Sequence, residues 1–283
     1  SVAISKDSKR VFTGGKGSVK IWDLTESTQQ ARASINCHEE QYTRSCKLYS
    51  NDTRIAVAGE FPDILLFDVE TQQEVARLNT QTAACYALTV DDESKMLYAC
   101  CDDGTVVIYE LASLKEVSRL RGHNDGASCV ALSKDGNRLF TGSLDQTLRT
   151  WNLRQSNVEC IMSLENQIFA LDRSPIDDWV VVGQDKGQIE VVSTIPGPNN
   201  RYHLDAHESG VLSMRYAHSG RWFCSTGKDD MLKLWTSPHG ALAAQTADKS
   251  AVLCCEISAD DKMIVTGSKE RATVYQVMYD NAM

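Results

Sequence analysis

One unit recurs seven times along this chain, and the repetition limits the fold more than any single residue does. A strand ending near Ser-x-Asp leads into an apolar run that closes on Gly. A short polar turn follows, then a second run that ends on an aromatic residue and a polar one. The fourth copy is the fullest, as CVALSKDG, NRLFTGSLD and QTLRTWNL between Cys129 and Leu153. The glycines or their equivalents fall at Gly14, Gly59, Cys100, Gly142, Gly183, Gly227 and Gly267, a spacing of roughly 40 to 45 residues. One such unit cannot bury its own apolar faces, whereas seven four-stranded sheets set radially share a continuous core and leave only short edges. The expected architecture is therefore all-β, a seven-bladed propeller.

At 283 residues the length alone would allow two domains, but the repeat crosses both halves without a Pro/Gly/Ser linker. One domain over 1–283 is expected, with blades at roughly 1–24, 43–69, 84–110, 127–153, 168–194, 211–237 and 252–279. No apolar stretch approaches the ~18 to 20 residues that cross a bilayer, and the opening SVAISKDSKR lacks the form of a secretion signal, so the reading is soluble and intracellular, with no membrane partner. Of the ten cysteines, Cys46, Cys129, Cys224 and Cys255 lie inside strands, where a thiol packs as a small apolar group. The adjacent pairs Cys100-Cys101 and Cys254-Cys255 lack the C-x2-C spacing that converges on zinc, so neither a metal nor any other cofactor is assigned. A net charge of -9 argues against direct nucleic-acid binding, which needs a concentrated basic face.

Each copy alternates apolar and polar positions with the period of strands, and an aromatic recurs in one slot at Trp22, Phe67, Tyr109, Trp151, Trp235 and Tyr275, with Val192 the exception. These are core residues rather than a cofactor box. Blade four also holds His123, Thr141, Ser143 and Asp145 ahead of Trp151, a set that resembles the hydrogen-bonded His, Ser/Thr, Asp and Trp network of WD40 blades. Such a set satisfies buried polar groups between strands and is not a nucleophile with its base. His207, Ser225, Asp229 and Trp235 repeat it in blade six; Lys16, Phe61, Lys186 and Lys269 stand where Asp145 stands in four others, and Asp103 has no upstream His. Since Ser1 already falls in the innermost strand of blade one, the strand that usually closes such a ring is expected to lie outside the sequence, making the chain the C-terminal piece of a longer protein.

The innermost strand of each blade starts at one mouth of the central channel. Counting five residues back from the Ser of Ser-x-Asp gives the column Ser45, Tyr86, Ser128, Phe169, Leu212 and Leu253, with the blade-one member falling just before Ser1. Four of the six are large and apolar where an empty propeller meets solvent, which is the signature of a covered binding site. Tyr42, Arg44 and Glu60 stand on the same face, with Lys16, Lys186, Lys228 and Lys269 in turns around it. Converging carboxylates or histidines, as acid-base or metal chemistry would need, are not among the column residues. The column suits holding a peptide with bulky apolar anchors.

The segments VFTGGKGSVKIWDL, YTRSCKL, ACYAL, GHNDGASC, NQIFALD, SGVLSMRY, WFCSTGKD, AVLCCEIS and TGSKERATVYQV together resemble the C-terminal WD40 domain of the Groucho, or transducin-like enhancer of split, corepressors, in register from Val11 to Met278. The resemblance implies a non-enzymatic nuclear adaptor that binds short linear motifs of DNA-bound transcription repressors: a Trp-Arg-Pro-Trp tetrapeptide or a Phe-containing engrailed-homology helix. It carries peptide contacts onto Tyr42, Arg44, Glu60, Phe169, Leu212 and Leu253; Tyr86 joins them from the column. The family oligomerises through an N-terminal glutamine-rich segment that this sequence does not include. DRSPIDD, from Asp172 to Asp178, reads as an acidic loop on the opposite face, and AGEFPDI near Glu60 as a segment that could retune peptide preference. The competing reading is a substrate-recognition subunit of a ubiquitin ligase, which would need an arginine cluster to pair with a phosphorylated degron.

Overall fold

The computed structural model describes residues 1–26, 30–195 and 201–278. These residues form short antiparallel strands in seven sheets: six of four strands and one, over Val252–Ile257, Met263–Ser268 and Ala272–Gln276, of three. Each sheet runs from an inner strand outward in chain order, as in blade four with Ala127–Leu132, Arg138–Ser143, Thr147–Asn152 and Asn157–Ser163. The inner strands Val2–Ile4, Thr43–Tyr49, Cys85–Asp91, Ala127–Leu132, Ile168–Arg173, Val211–Tyr216 and Val252–Ile257 surround a central channel. The architecture is the seven-bladed β-propeller expected from the repeat. No helix of the described residues is long and apolar enough to cross a membrane.

The Ser-x-Asp signature is a turn lock at the far end of the inner strand. Ser133 Oγ donates to Asp135 Oδ1 at 2.6 Å and accepts the Arg138 N–H at 2.9 Å; Ser5 with Asp7 and Ser258 with Asp260 repeat the pair at 2.6 and 2.7 Å. The turn needs a left-handed residue three places after the serine, and Ser8, Gly136 and Asp261 take it with φ of 59°, 67° and 58°. Carboxylates then tie neighbouring blades together. Asp52 accepts the Lys6 N–H at 2.5 Å, Asp92 that of Ser50 at 2.8 Å, and Asp261 those of His218 and Ser219 at 2.7 and 2.8 Å.

Strand register corrects the glycine slot in two blades. Trp151 pairs with Leu139, three residues before Gly142; the same count from Ile55, which pairs with Phe67, reaches Ala58, and from Phe223, which pairs with Trp235, reaches Thr226. Gly59 and Gly227 are each one residue beyond the slot. The slot is small because the first residue of the next blade's inner strand presses on it. A Cβ on Gly142 would lie 2.4 Å from Ile168 Cγ2, on Gly183 2.6 Å from Val211 Cγ1, and on Gly14 2.6 Å from Thr43 Cγ2.

The polar network forms as expected in blades four and six. His123 Nε2 meets Thr141 Oγ1 at 2.7 Å and Nδ1 meets Asp145 Oδ2 at 3.0 Å, while Trp151 Nε1 donates to Thr141 Oγ1 at 2.8 Å. His207, Asp229, Ser225 and Trp235 reproduce it at 2.7 to 3.0 Å. Blade one keeps only the Trp22 to Thr13 bond, at 2.8 Å. Thr141, not Ser143, is the hydroxyl member; Ser143 Oγ instead donates to the Asp125 carbonyl. Burial lowers the pKa of both histidines, outweighing the pull of Asp145 and Asp229. Burial also works to raise Asp145, but hydrogen bonds from Thr147, the Asn124 N–H and His123 prevail and hold it at about 2.

The DRSPIDD segment differs from its reading as an acidic loop. Asp172 and Arg173 end the inner strand of blade five, and Asp172 is a half-buried carboxylate that accepts the Tyr216 N–H at 2.7 Å. The loop proper begins at Ser174.

Three outcomes follow from this packing. Gly142→Val places a branched side chain against Ile168 and is expected to destabilise by about 1 to 3 kcal/mol in denaturant unfolding, whereas Gly15→Ala, at a position with open space around its Cβ, should leave the midpoint nearly unchanged. His123→Ala should cost about 1 to 3 kcal/mol by loss of a buried network member. Because the folded His123 and His207 pKa values are depressed below 6.5, the stability tied to their neutral form is present above that value and is lost as pH falls below it. Melting temperatures measured across that window should therefore drop with acidification, and drop less in a His123→Ala, His207→Ala double variant; an identical pH slope in both proteins would exclude the histidines as its source.

Candidate functional site

The mouth is built by one register position repeated around the ring. Leu132 pairs with Leu139, and four residues before Leu132 stands Ser128. The same count gives Tyr86, Phe169, Leu212 and Leu253 in their blades, as expected. In blade two it gives Arg44, because Leu48 pairs with Ile55. Ser45, assigned to the column from sequence, sits one residue deeper: it is buried, and its Oγ accepts the Leu88 N–H of blade three at 3.1 Å. Ser213 makes the matching bond to the Cys255 N–H at 3.2 Å, so this second position joins blades rather than facing a ligand.

The structure brings the sequence-expected residues together on one face. Leu253 is 47% exposed and Tyr42 51%, both high for large side chains of a folded core-forming repeat, while Tyr86, Phe169 and Leu212 are half-buried around the opening. Tyr86 leans on Gly126, where an added Cβ would lie 3.0 Å from its ring. Burial first, then the charges of Asp102, Asp125 and Glu60, raise its phenol pKa against the opposing effect of Arg44. Arg44 Nε donates to Glu60 Oε1 at 3.0 Å and a terminal guanidinium nitrogen reaches the same oxygen, so the two side chains form an ion pair, and both charges act on Tyr86. Lys228 Nζ lies 5.3 Å from the centre of the Phe169 ring, a cation–π contact that holds an ammonium at the edge of the apolar surface. Lys16 pairs with Glu40 at 2.7 Å, and Lys186 and Lys269 are exposed in their turns. Phe61 is fully buried and packs on His38 with ring centres 4.5 Å apart, so it is core and not mouth.

Behind the mouth the channel encloses about 690 Å³. Three residues deeper than the mouth position its wall carries Lys47, Asp172, Arg215 and Glu256, a cluster the sequence reading did not single out. Arg215 Nε donates to Glu256 at 3.1 and 3.2 Å, and Lys47 Nζ approaches Glu256 Oε2 at 3.5 Å, spanning from blade seven to blade two past Ala3. Burial disfavours the Arg215 charge, but Glu256 and Asp172 more than compensate and its pKa is raised; Glu256 is lowered by Arg215 and Lys47 against its own burial. Asp172 is raised, because there burial outweighs Arg215. The available signal was a charged residue at a fixed offset in four inner strands. Among the described residues no group of three His, Cys, Asp or Glu side chains is placed to hold a metal ion, and Cys224 Sγ lies 3.6 Å from Cys255 Sγ as one of several free, buried thiols.

Comparison with known proteins agrees with this construction. The family model "WD domain, G-beta repeat" matches residues 1–23, 72–110, 114–152 and 199–236. The "Transcription factor unc-37" of Caenorhabditis elegans is 43% identical over 288 residues, covering 99% of this chain. This chain spans 47% of that relative's length. A chain in the "Crystal Structure of Mitotic Checkpoint Complex" superposes with a TM-score of 0.88 at 20% identity, over 99% of this chain and 86% of that one, a likeness of fold alone. The match to unc-37 spans nearly the whole chain, and the chain belongs to the Groucho, or transducin-like enhancer of split, family of WD40 propellers.

Proposed function

We propose that residues 1–283 form the non-catalytic, peptide-binding propeller of a nuclear transcriptional corepressor, which takes short motifs of DNA-bound repressors at the channel mouth. The observation that carries this reading is the ring of Tyr86, Phe169, Leu212 and Leu253, apolar side chains left partly open to solvent at one end of a channel. Covering them releases water from apolar area, and each anchor so buried is worth a few kcal/mol at most, which fits a short peptide and a reversible contact. Tyr42 extends the surface, and the Arg44–Glu60 pair offers a donor and an acceptor beside it for peptide backbone or polar side chains. That unc-37 is described as a transcription factor supports a role in transcription. A Trp-Arg-Pro-Trp peptide or a Phe-bearing helix supplies bulky anchors of the required kind.

A phosphorylated degron is the rival ligand. It would need free guanidinium groups at the mouth to pair with phosphate oxygens. Arg44, the arginine in the mouth ring, is already engaged by Glu60, which favours the apolar motif. Titration of the chain with Trp-Arg-Pro-Trp and with a phosphorylated degron peptide separates the two; binding of the phosphopeptide alone would overturn the corepressor reading.

Within this reading, Leu212→Ser or Phe169→Ser should weaken peptide binding by about 1.5 to 3 kcal/mol while leaving the unfolding midpoint little changed. Unaltered titration curves for both variants would remove the mouth from the site. Arg44→Ala should reduce affinity more than Lys186→Ala, although both delete one positive charge. The guanidinium can stack on an anchor and keeps Glu60 in position, whereas Lys186 stands exposed in a turn where solvent and salt screen it. Equal losses that vanish together in added salt would assign binding to diffuse electrostatics.

A further inference from the structure

The charges immediately outside the mouth are ordered around the ring. Backbone register defines the position: the N–H groups of Glu60, Asp102, Leu144, Asp185 and Lys228 donate, at 2.9 to 3.1 Å, to carbonyls at the start of the adjoining inner strand or just before it. Leu144 stands two residues after Gly142; two residues after the matching slots at Gly14 and Gly267 stand Lys16 and Lys269, which a count back from the aromatic sets against Asp145 instead because the turns of blades one and seven are one residue shorter. Consecutive blades six, seven and one thus present lysines, and blades two and three present carboxylates, with neutral Leu144 in blade four.

The exceptions narrow the pattern rather than blur it. Lys16 is already matched by Glu40, so the cationic arc rests on Lys228 and Lys269. Asp185 has its Oδ1 buried in the protein without a hydrogen-bond partner, so that oxygen is withdrawn from the rim. Lys228 is held over Phe169, with its ammonium beside the apolar floor. On the opposite arc Glu60 is matched by Arg44 in the same way, so the anionic arc rests on Asp102, whose Oδ1 accepts the Ala84 N–H at 3.1 Å and whose carboxylate lies close enough to Tyr86 to bear on its phenol.

We propose that the mouth is a polarised seat that fixes the direction of its peptide: an anionic group lies over blades six and seven at Lys228 and Lys269, and a basic side chain lies over blade three at Asp102. The inference rests on the peptide-binding reading and adds orientation to it. The apolar anchors Tyr86, Phe169, Leu212 and Leu253 hold a peptide by burial, which carries no sign of charge by which to choose its direction. Opposite charges on opposite arcs provide one, since a reversed peptide would place like charges together.

The test uses three peptides, Trp-Arg-Pro-Trp with a free C-terminal carboxylate, its C-terminal amide, and Trp-Gln-Pro-Trp, titrated at low and moderate salt. Lys228→Glu combined with Lys269→Glu should weaken the free-acid peptide by about three- to tenfold and leave the amide much less affected. Asp102→Lys should weaken the Arg peptide by a similar factor and spare the Gln peptide. An amidated peptide extended by a C-terminal lysine should bind the lysine-to-glutamate double variant better than it binds the unaltered protein. Losses that are the same for acid and amide, or for Arg and Gln peptides, would overturn the orientation while leaving the peptide site intact. If the unaltered protein binds none of the peptides, the site reading itself falls, and the orientation with it.

Discussion

The propeller depends on how closely one blade can approach the next, and that distance is set at the small slot in each second strand. Gly142, Gly183 and Gly14 receive Ile168, Val211 and Thr43, all branched at Cβ. In blades two and three the slot is larger and its partner position smaller: Ala58 goes with Cys85, and Cys100 with Ala127. Blade six departs from this exchange, with Thr226 in the slot and Val252 at the partner position. Where the exchange holds, it keeps the interior filled, as close packing requires, and sets the alanine or cysteine that replaces the glycine against a small residue 27 positions later in the chain.

With the blades fixed at that spacing, the inner strands of blades two to seven start at the same height, and the residue at the mouth position of each enters the opening. The hydroxyls of Ser45 and Ser213 lock inner strands to their neighbours, and the bottom-side carboxylates of Asp52, Asp92 and Asp261 do so at the other end. The mouth residues therefore project from strands held at both ends. A ligand meeting such a surface loses less of its binding energy to ordering the protein than it would on free loops.

Much of this was legible in the sequence because the repeat is enforced by packing. The aromatic slot, the two His networks and five of the mouth positions follow from counting along copies that keep the same turn. Blade two defeated the count because its turn is different. Ser50, Asn51 and Asp52 all adopt positive φ, at 52°, 54° and 61°, and Ser50 lies one residue past the place of Ser133, so counting back five from it lands on Ser45 instead of Arg44. Asp172 was misplaced for a related reason: a run of Asp, Arg, Ser and Pro reads as a solvated turn, whereas register shows a strand end whose carboxylate receives a neighbouring blade's N–H. The charge bridge from Glu256 to Arg215 and Lys47 was hidden because its members are remote in sequence and meet only across the ring.

That bridge also bears on how far a ligand can enter. From the mouth position to the charged level is three residues along a strand, about 10 Å at the usual rise. Within that depth the walls offer Tyr86, Phe169 and Leu212, where an apolar side chain gains by leaving water. Below it the wall is lined by Lys47, Arg215, Asp172 and Glu256, whose charges satisfy one another and would lose part of their hydration to a deeper apolar group. An indole or phenyl ring fits the upper zone; a longer apolar insertion meets an opposing desolvation cost. The same inner strands thus set both the attraction at the surface and its limit in depth, which favours short motifs with one or two bulky anchors over segments threaded through the channel.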